Sequence, residues 1–295
     1  MKLTSRITAA FGALLALPAW AEEAYIGMAV PKQLSFQPAA SPVMERLVSL
    51  HDFLLIIITV ITVFVTLLIA YVCIRFRKSA NPVASKNSHN TTIEVIWTVA
   101  PILILAVIFI PSYRLHYECV HSIGCNEDGM PSEPDLTLKI VGYQWYWNYE
   151  YPGADVQFDS YMKQEKDLLP GEPRLLAVDN PVVVPVGANV RLHVTGGDVI
   201  HNWAMPAFGV KQDTIPGRLN ETWFRAEREG TFYGQCSELC GQLHGFMPIQ
   251  VEVVSQEFYD KWLGLAAEDM DAASQMVAAH RGRIDENNFA QLEEQ

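Results

Sequence analysis

The sequence predicts a two-helix transmembrane hairpin followed by an exported all-β domain. Two long apolar runs without a charged residue predict the hairpin. Short segments rich in Val, Leu and aromatic residues, separated by Pro, Gly and Asn/Asp turn signals, predict the β-domain. A cluster of Lys and Arg between the two apolar runs orients the whole chain.

The first 21 residues stand apart from both. Lys2 and Arg6 precede an apolar core over 7–17, and Ala19-Trp20-Ala21 supplies a small-x-small cleavage site. This is the order of a cleaved secretory signal, too short to serve as an anchor. A periplasmic segment over 22–50 is expected next, then the hairpin over 51–115.

The first apolar run, 53–74, has 22 residues and the second, 95–113, has 19. At about 1.5 Å per residue, helices over about 51–75 and 94–113 cross the roughly 30 Å hydrocarbon core. Pro101 and Pro111 interrupt the second run, which membrane helices tolerate. Arg75, Arg77, Lys78 and Lys86 fill the loop between the runs, with no Asp or Glu, so this loop is cytoplasmic by the positive-inside rule. A cleaved signal independently places the mature N-terminus outside. Both inferences give out–in–out topology: a multi-pass protein of the bacterial inner membrane, with a periplasmic C-terminal domain.

Strands are expected over 136–141, 143–151, 174–178, 182–186, 189–194, 222–226, 230–234 and 249–254. Such spacing suggests a sandwich or small barrel, with the domain ending near Val254. Alternation in Ile249-Gln250-Val251-Glu252-Val253 predicts a strand with one wet face. Residues 255–295 form an acidic tail with nine acidic and three basic residues. Phe258, Trp262 and Leu265 at i, i+4 and i+7 predict one helix laid on the domain, and nothing argues for order beyond His280.

The 295 residues carry 21 Lys and Arg against 33 Asp and Glu, a net charge of −12. From Tyr117 onward the count is 28 acidic and 12 basic, or −16. This argues against a nucleic-acid binder, which needs clustered cations for the phosphate backbone; it suits a basic partner or a surface acidic for solubility alone, and charge leaves the partner open.

The chemistry-bearing segment is Cys236-Ser237-Glu238-Leu239-Cys240-Gly241-Gln242-Leu243-His244-Gly245-Phe246-Met247. Two thiols, an imidazole and a thioether are a soft donor set, which favours copper over calcium or magnesium. Two Cys four residues apart can bridge two metals, each then needing one His. His201, in the loop following the strand that ends near Val194, is the candidate second imidazole. On spacing alone a structural zinc site and a Cys236–Cys240 disulfide stay open.

This segment resembles the ligand loop of the binuclear Cu-A centre in the cytochrome c oxidase subunit II family. The likeness extends to His201-Asn202-Trp203-Ala204-Met205-Pro206, Lys211-Gln212-Asp213, Pro216-Gly217-Arg218, Gly142-Tyr143-Gln144-Trp145-Tyr146-Trp147 and Glu94-Val95-Ile96-Trp97-Thr98. The resemblance implies a cupredoxin-like Greek-key domain and a chain that takes electrons from cytochrome c for reduction of oxygen coupled to proton pumping. It implies bridging thiolates from Cys236 and Cys240, imidazoles from His201 and His244, a thioether from Met247 and the backbone carbonyl of Glu238. The Glu238 side chain would hold a magnesium or manganese ion shared with subunit I, and haems would reside only in subunit I. Subunits I and III are the implied partners.

Trp145, Trp147, Tyr149 and Tyr151 alternate on one expected strand face, with Tyr146 and Glu150 on the other. Such a ladder reads as core, but the resemblance implies that Trp145 accepts the electron from cytochrome c. It also implies docking carboxylates at Glu150, Asp179, Asp198 and Asp213, and the mouth of a proton path at Glu94. Relatives often have two adjacent acids where this chain has Gly197-Asp198. Cys119 and Cys125 can pair as a disulfide or, with His116 and His121, join a metal cluster; Cys73 reads as a buried thiol. A copper-free quinol oxidase subunit II and a stand-alone membrane-tethered copper carrier are the competing readings. Both Cys, both His and Met247 speak against the first, and the Glu94 and Trp145 motifs against the second.

Overall fold

Ser41 starts the first helix. Its Oγ accepts the Met44 N–H at 3.1 Å, and Pro42 fills the first turn, where a missing N–H costs nothing. In this computed structural model, which describes residues 27–83, 85–120 and 133–293, α1 spans Pro42–Arg75. The helix therefore begins before the apolar run, inside the segment expected to lead into the membrane. Asn90 caps α2 (Thr91–Arg114) by accepting the Ile93 N–H at 3.2 Å, and a π-helical turn, Leu115–Val120, follows. Both helices are long and apolar enough to cross a membrane, and their central side chains are exposed. The expected signal peptide, His121 and Cys125 lie outside the described residues, as does the Cys119 side chain. Cys73, read as buried, is exposed on α1 among the described residues.

Among the described residues, ten strands form two five-stranded sheets. The first has the order β3 (Val156–Ser160), β2 (Tyr146–Tyr151), β1 (Leu136–Tyr143), β5 (Asn189–Gly196), β8 (Asn220–Arg225). The second has the order β4 (Val182–Pro185), β10 (Pro248–Val254), β9 (Gly230–Cys236), β6 (His201–Met205), β7 (Val210–Thr214). The β1–β5 and β4–β10 pairs are parallel and join strands distant in sequence, and the other pairs are antiparallel. Leu138, Ile140, Trp147 and Leu192 of the first sheet and Trp203, Phe232 and Val251 of the second share one core cluster. The predicted sandwich is the observed one.

Several local expectations are corrected. Residues 143–151 are not one strand: Tyr143 pairs with Tyr146 across a tight turn, so Trp145 leaves the strand face it was assigned. Residues 174–178 form turns with a single bridge, Met162 to Val178, because the Leu176 and Ala177 N–H groups fold back onto the Pro173 carbonyl. His201 opens β6 instead of lying in a loop, and β3, β6 and β7 were not foreseen.

The largest correction concerns β10. All seven of its residues are buried, including Gln250 and Glu252. Helices α3 (Gln256–Ala266) and α4 (Met270–Glu293) follow it, and Trp262 is fully buried beside Tyr151, ring centroids 5.3 Å apart. Gln250 satisfies its burial by accepting the Val178 N–H at 3.0 Å and donating to Glu252 at 2.7 Å. The Arg281 Nε faces Glu252 Oε1 at 3.2 Å, off the hydrogen-bond direction, and its Nη1 meets Glu172 Oε1 at 3.0 Å. The tail is thus anchored one residue beyond the point where order was expected to fade.

Candidate metal centre

Strand β9 ends at Cys236, and the loop to β10 returns Cys240, His244 and Met247 to the same end of the second sheet. Strand β6 pairs with β9 at Trp203 and Cys236, which carries His201 alongside. Cys236 and Cys240 are buried free thiols with sulfurs 3.9 Å apart, well beyond a disulfide bond. His201 Nδ1 lies 4.0 Å from Cys236 Sγ, and His244 Nδ1 lies 3.5 Å from Cys240 Sγ. Met247 Sδ is 3.5 Å from Cys240 Sγ, and the Glu238 carbonyl oxygen is 3.3 Å from Cys236 Sγ. The donor atoms of His201, Cys236 and Cys240 all fall within 4.8 Å of one another. Soft sulfur at the centre, imidazole on either flank and a thioether close by fit copper.

Neighbouring groups hold these donors in place. Asp198 Oδ1 accepts from His201 Nε2 at 2.9 Å, which leaves Nδ1 aimed at the sulfurs. The same carboxylate accepts the Gln144 and Val199 N–H groups at 2.7 and 2.6 Å. Burial works against its charge, but the imidazole and these N–H donors outweigh that and hold the carboxyl below its ordinary value. Gly142 leaves room for the His201 ring, since a Cβ there would come within 2.9 Å of Cδ2. The Trp147 indole Nε1 donates to the Met247 carbonyl at 3.3 Å and its ring meets His201 edge-on.

The thiols differ electrostatically. Burial raises the Cys236 thiol, but His201 and nearby N–H groups more than reverse this and bring it down to about 7. Burial and the neighbouring Cys236 charge push Cys240 up to about 12. The pair thus favours one thiolate over two, and a bound cation would favour ionisation of both.

Trp145 sits in the β1–β2 turn against the copper-loop residue Gly241. A Cβ on Gly241 would meet the indole Cζ2 at 3.1 Å, and its φ of +123° excludes other residues without strain. Gln144 Nε2 donates to the Cys240 carbonyl at 2.7 Å, fastening this turn to the loop. Trp145 is half-buried and its Nε1 has no partner among the described residues.

The four carboxylates named for docking all have partners. Glu150 pairs with Lys139 Nζ at 2.5 Å, Asp179 accepts the Tyr161 and Asn180 N–H groups at 2.7 Å, and Asp213 accepts Asn202 Nδ2 at 2.6 Å. Asp198 belongs to the metal centre as described. Glu94 lies far along the chain, in the first turn of α2, where an acid suits the helix dipole. Reasoning from sequence missed the orienting roles of Asp198, Gln144 and Trp147. The three-residue spacing from Asp198 to His201 was the available signal.

This geometry makes one prediction. Asp198→Ala should weaken copper binding by about 10–100-fold, the usual cost of a lost outer partner. Asp198→Asn, which keeps an acceptor oxygen, should retain most of it; competition with a copper chelator reads both. Equal losses in the two variants would show that charge, not orientation, is what Asp198 supplies.

Comparison with known proteins agrees with this architecture. The family model for cytochrome c oxidase subunit II, periplasmic domain, matches residues 136–254, and the transmembrane-domain model of the same subunit matches residues 29–115. A probable cytochrome c oxidase subunit 2 of Rickettsia felis is 52% identical over 237 residues, covering 79% of this chain and 72% of the relative. Cytochrome c oxidase subunit 2 of Cereibacter sphaeroides is 45% identical over 282 residues, covering 88% and 90%. The solved periplasmic domain of subunit II of cytochrome oxidase from Bradyrhizobium japonicum shares 54% identity, covering 48% of this chain and 99% of that domain, with a TM-score of 0.45. With both its membrane hairpin and its exported domain matched, the chain belongs to the cytochrome c oxidase subunit II family.

Proposed function

We propose that this chain is the electron-accepting subunit of a bacterial cytochrome c oxidase, with a binuclear copper centre held by His201, Cys236, Cys240, His244, Met247 and the Glu238 carbonyl. The observation that carries this reading is the convergence of two free buried thiols, two imidazole Nδ1 atoms and a thioether on one loop end. Bound there, a copper pair would cycle by one electron. The residues supply the rest. The β-sheet scaffold would hold the two sulfurs and their flanking donors in place, Met247 would contribute a weak contact, and burial of His201, Cys236, Cys240 and Met247 would limit water at the site.

Trp145 is assigned as the point of electron arrival, because its indole lies on the loop glycine next to Cys240. Trp145→Ala should lower the rate of reduction by cytochrome c about tenfold or more, the size of a lost aromatic hot spot, with the copper spectrum unchanged. A rate that survives while the spectrum is intact would move the arrival point elsewhere.

Glu150, Asp179, Asp198 and Asp213 are read as part of an acidic field that steers a basic cytochrome c. Association should slow steeply as ionic strength rises, because screening beyond about 10 Å is strong at 0.1 M salt. Stopped-flow rates that ignore salt would remove steering from the reading.

Glu94 is read as the mouth of a proton path into subunit I. The Glu238 side chain is read as the ligand of a magnesium or manganese ion at that subunit boundary. Subunits I and III and the haems of subunit I complete the assembly, which lies in the inner membrane with α1 and α2 spanning it and residues 116–254 in the periplasm. Residues 1–21 are read as a signal removed on export.

The test is metal analysis and electron paramagnetic resonance of the full chain purified in detergent. Two coppers per chain sharing one unpaired electron, with hyperfine splitting from two nuclei, is the expected result. A single-copper spectrum would favour a stand-alone carrier, a zinc-filled site a structural role, and a metal-free chain that refuses copper a quinol oxidase subunit.

A further inference from the structure

The exported domain grips the outer end of α1 through a buried hydroxyl. Ser41 is 1% exposed, and its Oγ serves two elements at once. It accepts the Met44 N–H at 3.1 Å, which caps α1, and donates its own hydrogen to the Phe208 carbonyl at 2.7 Å, 167 residues away in the chain. Backbone bonds flank it. The Ala40 N–H donates to the Ala207 carbonyl, and the Ala40 carbonyl accepts the Glu227 N–H, both at 2.9 Å. Gly209 completes the seat: a Cβ there would come within 3.3 Å of the Met44 nitrogen and Cα, and its φ of +70° favours glycine.

This seat is tied to the metal centre. Phe208 ends the 3₁₀ turn Pro206–Phe208, which follows β6 without a break. Strand β6 opens with His201 and pairs with β9 at Trp203 and Cys236. The seat of α1 and the His201 imidazole therefore belong to opposite ends of one five-residue strand, roughly 13 Å long at about 3.3 Å per residue.

A helix cap alone does not require serine. Aspartate caps as well, because capping takes only an acceptor. Holding the Phe208 carbonyl takes a donor, and an ionised carboxylate has none. A hydroxyl does both with one oxygen, and burial keeps water from replacing either bond. We propose that Ser41 is a positioning residue, whose hydroxyl locks the exported domain onto α1 and so fixes how the metal centre stands over the membrane. Its use rests on the electron-accepting reading, since onward transfer to a partner subunit depends on a fixed separation.

The experiment is hydrogen exchange, read by mass spectrometry on the full chain in detergent, with Ser41 replaced in turn by Ala, Asp and Thr. Ser41→Asp keeps the cap and loses the donor; Ser41→Thr keeps both. Peptides covering Ala40 and Glu227, whose amides belong to the seat and not to the cap, should exchange about tenfold faster in Ser41→Ala and Ser41→Asp, the size of one buried hydrogen bond left unmade. Ser41→Thr should match the unaltered chain. In the assembled oxidase the same two variants should pass electrons onward about tenfold more slowly, with the copper spectrum and reduction by cytochrome c unchanged. If Ser41→Ala does not fold, Ser41→Asp still decides. Protection in Ser41→Asp equal to that of serine would reduce Ser41 to a helix cap, and faster exchange with unchanged onward transfer would leave the lock without a positioning role; either result overturns the proposal. A chain that takes up no copper would instead remove the electron-accepting reading, and the exchange comparison on that same chain would still decide the lock.

Discussion

Replacing Cys236 by Ser should abolish the copper pair. Its sulfur is the one that His201 Nδ1, Cys240 Sγ and the Glu238 carbonyl all approach within 4.0 Å, and it is the thiol brought down to about 7. A hydroxyl in that place is a hard, neutral donor that cannot bridge two soft metals. Copper affinity should fall well beyond the 10–100-fold cost of a lost outer partner. Copper content should drop from two per chain to one or none, and oxidation of cytochrome c by the assembled complex should fall to background. Fold should survive, because serine fills nearly the same volume at the end of β9; circular dichroism reads this. A serine variant that keeps two coppers and its shared-electron spectrum would remove Cys236 from the ligand set.

The second large effect lies toward the other end of the β9–β10 pair, where Glu252 faces Thr231. Arg281→Met leaves Glu252 and Glu172 without their guanidinium, and both carboxylates have side chains at most 5% exposed. Lys163 still pairs with Glu172 at 2.7 Å, but Glu252 keeps only its Thr231 and Gln250 hydrogen bonds, at 2.8 and 2.7 Å. Breaking a buried pair by removing one partner costs about 3–5 kcal/mol, so the thermal midpoint should fall and α4 should become open to protease. A second change, Glu252→Met, should recover most of the loss, since an apolar pair of similar volume avoids desolvating any charge.

The pH dependence has a definite sign. Burial raises the Glu252 carboxyl above its ordinary value, outweighing the attraction of Arg281. A carboxyl whose folded pKa exceeds its unfolded value binds more protons when folded, so its charging weakens the fold as pH rises through that folded value. Removing Arg281 raises the folded value further. The variant's deficit should therefore shrink in mild acid and widen toward neutrality. A deficit independent of pH would mean that the lost stability comes from packing of the arginine stem and not from the uncompensated charge.

These two sites differ in how far the sequence announces them. The copper loop is local: Cys236, Cys240, His244 and Met247 lie within a dozen residues, and their soft-donor chemistry is legible as a string. The membrane helices are legible for a similar reason, since charge-free length is a property of a contiguous run. His201 could be named from the sequence only as a candidate, because nothing local ties it to a loop more than thirty residues on; the β6–β9 pairing makes that link.

Where periodicity was the sole guide, it erred in instructive ways. The 143–151 stretch alternates well enough for one strand, yet it folds back at Gln144-Trp145, and that turn sets Trp145 on the copper loop instead of in the core. Ile249-Gln250-Val251-Glu252-Val253 has the pattern of a half-wet strand, yet the tail helices bury its polar face. Alternation records which side of a strand is polar; it does not say whether another element supplies partners for those groups.

By itself the sequence announced the two charge-free helical runs, the β character of the domain that follows them and the soft-donor segment 236–247. Each of these depends on residue types at short spacing. Only the tertiary structure decided that Asp198 orients His201, that Trp145 rests on Gly241, and that Arg281 completes a buried ion-pair cluster with Glu172 and Glu252. Those relations join residues through sheet pairing and helix docking. The free energy of a buried or oriented polar group depends on which distant partner the fold places within hydrogen-bond reach.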